Sequence, residues 1–294
     1  MPHSTLGWDG DWARALADLQ DRAAEPARVM AVHRGRVVVR CDSEDRLLPV
    51  LGGHRVLVGD WVAVRDGAVR AVLPRRTLLA REGAEQVANA DLCLVVTSLN
   101  HDLSLRRAER FVALAHAGGV EALIVLTKGD LARDPVAEAA RARERLGVDV
   151  VVLSAQDGWG VTALRARLQP GRTAVLAGSS GAGKSTLVNV LLGEQRQRTL
   201  AVREDDARGR HATTHRELFV LDDGALLVDT PGVRAVGLPS ADGLDEAFAD
   251  VAALAAACRF ADCAHDAEPG CAVQAAIAAG TLDADRLRSA QARA

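Results

Sequence analysis

The sequence predicts a mixed α/β chain in three parts: a small β-barrel, an α/β unit around a mostly parallel sheet, and a short helical unit rich in cysteine. Three observations carry that reading. Short apolar alternations broken by turn residues fill positions 28–82, apolar runs alternate with helical patterns over 83–238, and three cysteines and a histidine crowd into fourteen residues after 239.

The 294 residues suffice for a sizeable core and for one to three domains. No stretch of about eighteen apolar residues occurs, and the N-terminal segment carries acids instead of the apolar core of a secretory leader. The expected setting is therefore cytoplasmic, with no membrane partner. Residues 1–27 hold Trp8 and Trp12 on a short amphipathic segment, read as an N-terminal arm or helix.

Over 28–82, the stretches ARVMAVHRG, RVVVRCD, DRLLPVLGG, LVGDWVAVRDG and AVRAVLPRRTLLARE read as five short strands, which predicts a closed barrel of the OB type. From Arg28 to Arg81 eleven arginines stand against five acids, on a chain whose net charge is −3. Such a local surplus is either the electrostatic footprint of an RNA-binding surface or the solvated face of an arginine-rich chain. Trp61 is the region's one aromatic residue, which favours arginine contacts to a nucleic-acid backbone over base stacking.

In the middle unit the strand candidates are DLCLVVTSL, EALIVLTK, VDVVVLSA, RTAVLAG, ELFVLDD and ALLVDTPG. The chemically suggestive residues stand at the C-terminal ends of these runs, where open α/β sheets bind ligands. GSSGAGKS, spanning Gly178, Ser179, Ser180, Gly181, Ala182, Gly183, Lys184 and Ser185, fits the phosphate-binding P-loop pattern between a strand and a helix that opens at Thr186. Its glycines let successive N–H groups face phosphate oxygens, Lys184 reaches the β- and γ-phosphates, and Ser185 offers a hydroxyl to Mg²⁺.

TKGD, residues Thr127, Lys128, Gly129 and Asp130, points to guanine. A carboxylate at Asp130 accepts from N1–H and the 2-amino group, which adenine does not offer, and an unpaired buried carboxylate penalises the wrong base. The usual pattern is Asn-Lys-x-Asp, so Thr127 is a departure that keeps one hydroxyl. The Lys128 stem suits the purine face, and the N–H groups of Ser154 and Ala155 suit the guanine O6. Lys128 and Lys184 are the only lysines among 36 basic residues, and each lies in one of these two motifs, where the compact ammonium is not exchangeable for a guanidinium.

In LLVDTPG, Asp229 would hold Mg²⁺ through water and the Gly232 N–H would sense the γ-phosphate. The polar loop before it offers Thr213 or Thr214, of which Thr214 is favoured, to close on Mg²⁺. Val233 follows the glycine where many such sites place a water-orienting Gln, so intrinsic hydrolysis is expected to be slow. After 239 come the helical LDEAFADVAALAAAC and the pattern Cys258-x4-Cys263-x-His265-x5-Cys271, a Cys₃His set that closes one structural zinc site. Cys41 and Cys93 read as core residues.

In the order guanine reader, Ser-Ala, P-loop, switch loop, Asp-Thr-Pro-Gly and cysteine cluster, the chain resembles the ribosome-small-subunit-dependent GTPase A family along essentially its whole length. GSSGAGKSTL, GRHATTHREL, DTPGVRAVGL and CRFADCAHDAEPGCAV carry the likeness. The resemblance implies a circularly permuted P-loop GTPase domain between an N-terminal OB-type barrel and a C-terminal helical zinc-binding domain. It implies a cytoplasmic, monomeric factor that binds GTP and GDP, the small ribosomal subunit and its rRNA. Its slow GTP hydrolysis would be stimulated by the subunit during late maturation. The family usually reads His-Thr-Thr-Thr where this chain has His211-Ala212-Thr213-Thr214. His211 matches a histidine proposed as catalytic there, the alternative being contact with rRNA or solvent. The permuted order is expected to wire Asp229–Gly232 to the C-terminal unit.

Overall fold

The computed structural model describes residues 4–42, 44–81, 84–99, 103–179, 181–193, 216–229, 248–260, 263–266 and 268–291. Ser180, His211, Thr213, Thr214 and Gly232 lie outside them.

Helix α1 (Gly10–Ala17) opens on Asp9, whose carboxylate accepts from the Asp11 and Trp12 N–H groups as an N-cap. Strands β1 (Glu25–His33), β2 (Arg36–Cys41), β3 (Glu44–Pro49), β4 (Trp61–Arg65) and β5 (Ala68–Val72) follow. β1 pairs antiparallel with β2 and β4, β2 with β3, and β4 with β5. A bridge between Val50 and Val69, with Leu51 N–H donating to the Val69 carbonyl at 3.1 Å, closes the ring. Val29, Val37, Val39, Val62 and Val69 fill its interior, the alternate residues that a period of two turns inward.

The fifth expected strand is interrupted. Pro74 has no N–H for a ladder, and the chain leaves the barrel after β5. It resumes as β6 (Leu78–Arg81), which forms a separate hairpin with β7 (Ala84–Ala88).

The α/β unit runs through β8 (Leu92–Ser98), α2 (Leu105–Ala117), β9 (Glu121–Thr127), α3 (Pro135–Leu146), β10 (Asp149–Val152), α4 (Val161–Arg165), β11 (Thr173–Ala177), α5 (Lys184–Leu192), β12 (Glu217–Val220) and β13 (Leu226–Asp229). Each of the six strands falls within one of the six apolar runs read from sequence. Asp134 caps α3 through the Ala137 N–H, Pro135 takes the first turn, where its missing N–H is harmless, and Gly147 ends the helix in the left-handed region.

The strand order is β10-β9-β8-β11-β13-β12, with β12 antiparallel and touching β1 through Ala31 and Glu217, so barrel and α/β unit share one sheet. Successive strand residues face opposite cores. Leu123 and Val125 pack with α4 and α5 residues such as Leu164 and Leu187, whereas Ile124 and Leu126 pack with Phe111 and Val112 of α2 and Leu146 of α3. Each of these side chains contributes roughly 1.5–3 kcal/mol by leaving water.

Arg28 joins the parts. Only 2% exposed, it donates to the Leu6 carbonyl at 3.2 Å, the Asn89 carbonyl at 3.0 Å and Thr173 Oγ1 at 3.1 Å, with its guanidinium 5.2 Å from the Trp61 ring centre. Burial pulls its pKa down to about 10, against the opposing attraction of Asp91 and Asp60, so it remains charged at neutral pH.

The C-terminal unit comprises α6 (Ala249–Ala255), α7 (Ala272–Ala278) and α8 (Ala284–Gln291). Phe248, Val251, Val273, Leu282 and Leu287 form its core together with Ala113 of α2. The unit therefore rests on the base-reading half of the α/β unit. The segment expected to wire it to the Asp229 motif falls outside the described residues.

Candidate nucleotide-binding and metal sites

β10, β9, β8, β11 and β13 are parallel, so the guanine-reading turn, the Ser154–Ala155 loop, the P-loop and Asp229 all leave from one sheet edge. β8 and β11 are neighbours from which the chain winds in opposite directions, a crevice that favours ligand binding. A Cβ at Gly178 would lie 2.1 Å from the Val96 carbonyl oxygen, so only glycine permits the P-loop to leave β11 there.

Lys184 begins α5 and folds its ammonium back on the loop, donating to the Gly178 carbonyl at 2.7 Å and the Ser179 carbonyl at 2.5 Å. Gly181, Ser185 and Thr186 are exposed at the mouth. The backbone of Asp229 ends β13 beside β11.

Thr127 Oγ1, buried, donates to the Ala182 carbonyl at 2.7 Å. The departure from Asn thus retains a direct tie between base reader and phosphate cradle. Lys128 adopts the left-handed conformation at φ 57°, which costs a non-glycine residue roughly 1–2 kcal/mol, and its ammonium donates to the Gly181 carbonyl at 3.2 Å. Both lysines therefore act on P-loop carbonyls. Asp130 is exposed at the same edge.

Ser154 differs from expectation. Its N–H donates to the Trp159 carbonyl at 2.9 Å and its hydroxyl to Asp157 Oδ2 at 3.0 Å, so it closes its own loop. No hydrogen bond from the Ala155 N–H is seen among the described residues. Trp159, which sequence reasoning passed over, stands half-exposed beside Gly129. The available signal was its place in Gly-Trp-Gly just after Ser-Ala.

Cys258, Cys263, His265 and Cys271 bring their ligand atoms within 4.8 Å of one another. Cys258 Sγ lies 3.8 Å from Cys271 Sγ and 3.6 Å from His265 Nδ1, and Cys271 Sγ lies 3.5 Å from the same nitrogen. A tetrahedral zinc ion with Zn–S of about 2.3 Å and Zn–N of about 2.0–2.1 Å requires edges of about 3.8 and 3.6 Å, so the residues fit that ion. The loop is braced: Glu268 accepts from the Ala264 and Asp266 N–H groups at 2.9 Å, and the Gln274 amide donates to the His265 carbonyl at 2.7 Å.

Part of the barrel's arginine surplus is offset within the chain, by Asp21, Glu85 and Asp9 from outside the region. Arg40 pairs with Asp45, Arg65 with Asp21, Arg75 with Asp60 and Glu85, and Arg76 with Asp9. Trp61 is fully buried against Trp8 and Trp12, so it stacks no base.

The family model described as "RsgA GTPase" matches residues 72–239. The chain belongs to the RsgA GTPase family. A relative from Streptomyces coelicolor, named "Small ribosomal subunit biogenesis GTPase RsgA", is 46% identical over 97% of this chain and 84% of its own length. One of the same name from Xylella fastidiosa is 47% identical over 96% and 90%. Among solved structures, YjeQ from Thermotoga maritima superimposes with a TM-score of 0.70 at 26% identity, covering 91% of this chain and 96% of that one. YloQ, described as a circularly permuted GTPase, gives 0.66 at 24% identity over 92% and 93%, a likeness of fold. The fold is thus a circularly permuted RsgA-type GTPase domain with a barrel before it and a helical Cys₃His unit after it. GTP hydrolysis is the activity of the RsgA GTPase family, and GTP is used there together with Mg²⁺. Among the described residues no helix is long and apolar enough to cross a membrane.

Proposed function

We propose that the chain is a GTP-hydrolysing switch that binds the small ribosomal subunit and its rRNA and assists late maturation, with slow intrinsic turnover that the subunit accelerates. The tie between base reader and phosphate cradle, Thr127 to Ala182 at 2.7 Å, supports the nucleotide part most directly. The names of the relatives support the ribosomal part.

In this reading Asp130 selects guanine, the Lys128 stem covers the purine, and Ala155 meets O6. Gly178 to Thr186 and Lys184 hold the phosphates, with Gly232 on the γ-phosphate. Mg²⁺ brought in with GTP would neutralise phosphate charge, and Ser185, Asp229 and Thr213 or Thr214 are the chain's groups that would hold it. Water attacks the γ-phosphorus and the bond to the β-phosphate oxygen breaks, releasing GDP and phosphate. Val233 cannot orient that water, and His211 is the residue assigned to do so when the subunit is bound. Cys258, Cys263, His265 and Cys271 hold one structural zinc. The protein acts as a cytoplasmic monomer.

Single-turnover GTP hydrolysis with and without purified small subunits tests the switch: acceleration by subunits is expected, and identical rates would remove it. Asp130→Asn should exchange guanine preference for xanthine; retained guanine selectivity would remove the role of Asp130. For His211→Ala, loss of subunit-stimulated turnover with unchanged GDP affinity is expected, whereas unchanged stimulated turnover would unseat the histidine.

A further inference from the structure

Resting on the guanine-binding reading above, we propose that Trp159 is a positioning residue for base recognition: its indole locks the Thr127–Asp130 turn to the Ser154–Ala155 loop so that both address one base. Gly129 is buried between the two loops and its N–H donates to the Leu153 carbonyl at 3.0 Å. A Cβ there would lie 2.6 Å from Trp159 Cζ3 and 3.0 Å from Val152 Cγ1, so the indole edge rests directly on the backbone that carries Asp130.

The indole has little freedom of its own. The Trp159 carbonyl accepts the Ser154 N–H at 2.9 Å, and the next residue, Gly160, runs at φ 78° with a notional Cβ only 2.2 Å from the Val152 carbonyl oxygen. The loop is thus pinned on both sides of the tryptophan. The other three tryptophans gather at the arm and barrel, with Trp8 and Trp12 ring centres 4.7 and 6.3 Å from that of Trp61. Trp159 alone stands at the nucleotide edge, and 51% of it remains exposed. Burial of its ring in an apolar core does not account for its place; its contact with Gly129 does.

Inosine diphosphate isolates the effect, because it keeps O6 and N1–H but lacks the 2-amino group. Binding of GDP relative to IDP therefore reads whether the Asp130 carboxylate sits in register for both donors. Affinities are measured on the full zinc-loaded chain for wild type, Trp159→Ala, Trp159→Phe, Gly129→Ala and the double variant Gly129→Ala/Trp159→Ala, with thermal melting to check folding.

The expected result is a GDP/IDP preference reduced about tenfold in Trp159→Ala, mostly restored in Trp159→Phe, and reduced likewise in Gly129→Ala, whose methyl meets the indole. The double variant should lose no more than either single one, because the two residues share one contact. If wild type prefers GDP and both Trp159→Ala and Gly129→Ala keep its full preference, the positioning role is overturned while guanine binding stands. If wild type itself does not prefer GDP, the guanine-binding reading fails and this inference with it. Should Trp159→Ala melt early, the Gly129→Ala arm decides alone. A loss of GDP and IDP affinity by the same factor in both variants marks general packing and overturns the proposal.

Discussion

Replacing Arg286 by Met should loosen the C-terminal unit, both between its own helices and against α2, before the α/β unit unfolds. Arg286 is 7% exposed. It holds Asp250 of α6 with a two-pronged contact at 2.5 and 2.7 Å, reaches Glu109 of α2 at 3.2 Å, and lies 5.4 Å from the Phe248 ring centre. Glu109 is 1% exposed and also receives Arg145 at 3.0 Å, which in turn reaches Asp283 at 3.1 Å. Breaking a buried pair outright costs about 3–5 kcal/mol, but here Arg145 still faces Glu109, so about 2 kcal/mol is the better figure for that contact. Asp250 is 44% exposed and regains water, which limits its share to about 0–1 kcal/mol. The ring contact adds about 0.5–1 kcal/mol.

The sum, about 3 kcal/mol, corresponds to a local opening equilibrium raised roughly a hundredfold. Hydrogen exchange on the zinc-loaded protein is the assay. Amides of α6 and α8 should exchange faster by that factor, while those of β8 and β9 remain unchanged. In a Glu109→Gln background the same Arg286→Met change should cost less, because the charge it compensates is gone. Unaltered protection in α6 and α8 would refute the reasoning.

Thr127→Val leaves the Ala182 carbonyl without its donor, a cost of about 1–3 kcal/mol, so GDP should bind roughly tenfold more weakly in a fluorescence titration. Chelation of zinc, or Cys263→Ser, should loosen α6 and α7, whose core includes Cys258, Cys263 and Cys271 beside Val251 and Val273; metal analysis and melting check this, and a full C-terminal melt without metal would contradict it. Asp9 is held down to about 2 from 3.8, first by its hydrogen bond with Arg76 and further by the Trp12 N–H. Its contribution is complete above about pH 4 and is lost as pH falls towards 2, so the arm should release Trp12 in that window, seen by tryptophan fluorescence, and Asp9→Asn should abolish the step.

What the sequence disclosed follows the physics of each signal. Runs such as LIVL at 123–126 are buried on both faces and stand out as apolar strands whatever their neighbours, and the P-loop declares itself because its glycines and lysine serve one local geometry. The cysteine cluster was legible for the same reason: four ligands within fourteen residues need no distant partner. Long-range pairing was not legible. Arg76 meets Asp9 sixty-seven positions away, and the barrel's positive surplus, real in the count, is partly offset by such partners. Glu109 reads as one more polar residue of an amphipathic helix, and only the arrival of Arg145 and Arg286 explains its burial. The Ser154 N–H is claimed by the carbonyl of a residue five positions on, a loop closure that no local pattern announces.

The seat of the C-terminal unit gives the permuted order a physical consequence. That unit follows the Asp229 strand in sequence, yet its helices lie on α2, which connects β8 to β9, and β9 ends at Thr127, just before Lys128. A covalent link therefore joins the unit to the Asp229 side of the sheet, and Glu109 with Arg286 joins it to the β9 side. In an unpermuted chain, where the base-reading half comes last, a C-terminal appendage would follow the base reader and lose its covalent tie to Asp229. With both ties present, a displacement of the segment after Asp229 must either pull on the α2 contact or be absorbed by the chain between. The buried Glu109–Arg286 pair resists the first by only a few kcal/mol. That is the range in which the few kcal/mol of differential affinity a nucleotide can have for two states would shift the population. A zinc ion on Cys258, Cys263, His265 and Cys271 would tie the chain just after α6 to the start of α7 independently of α2.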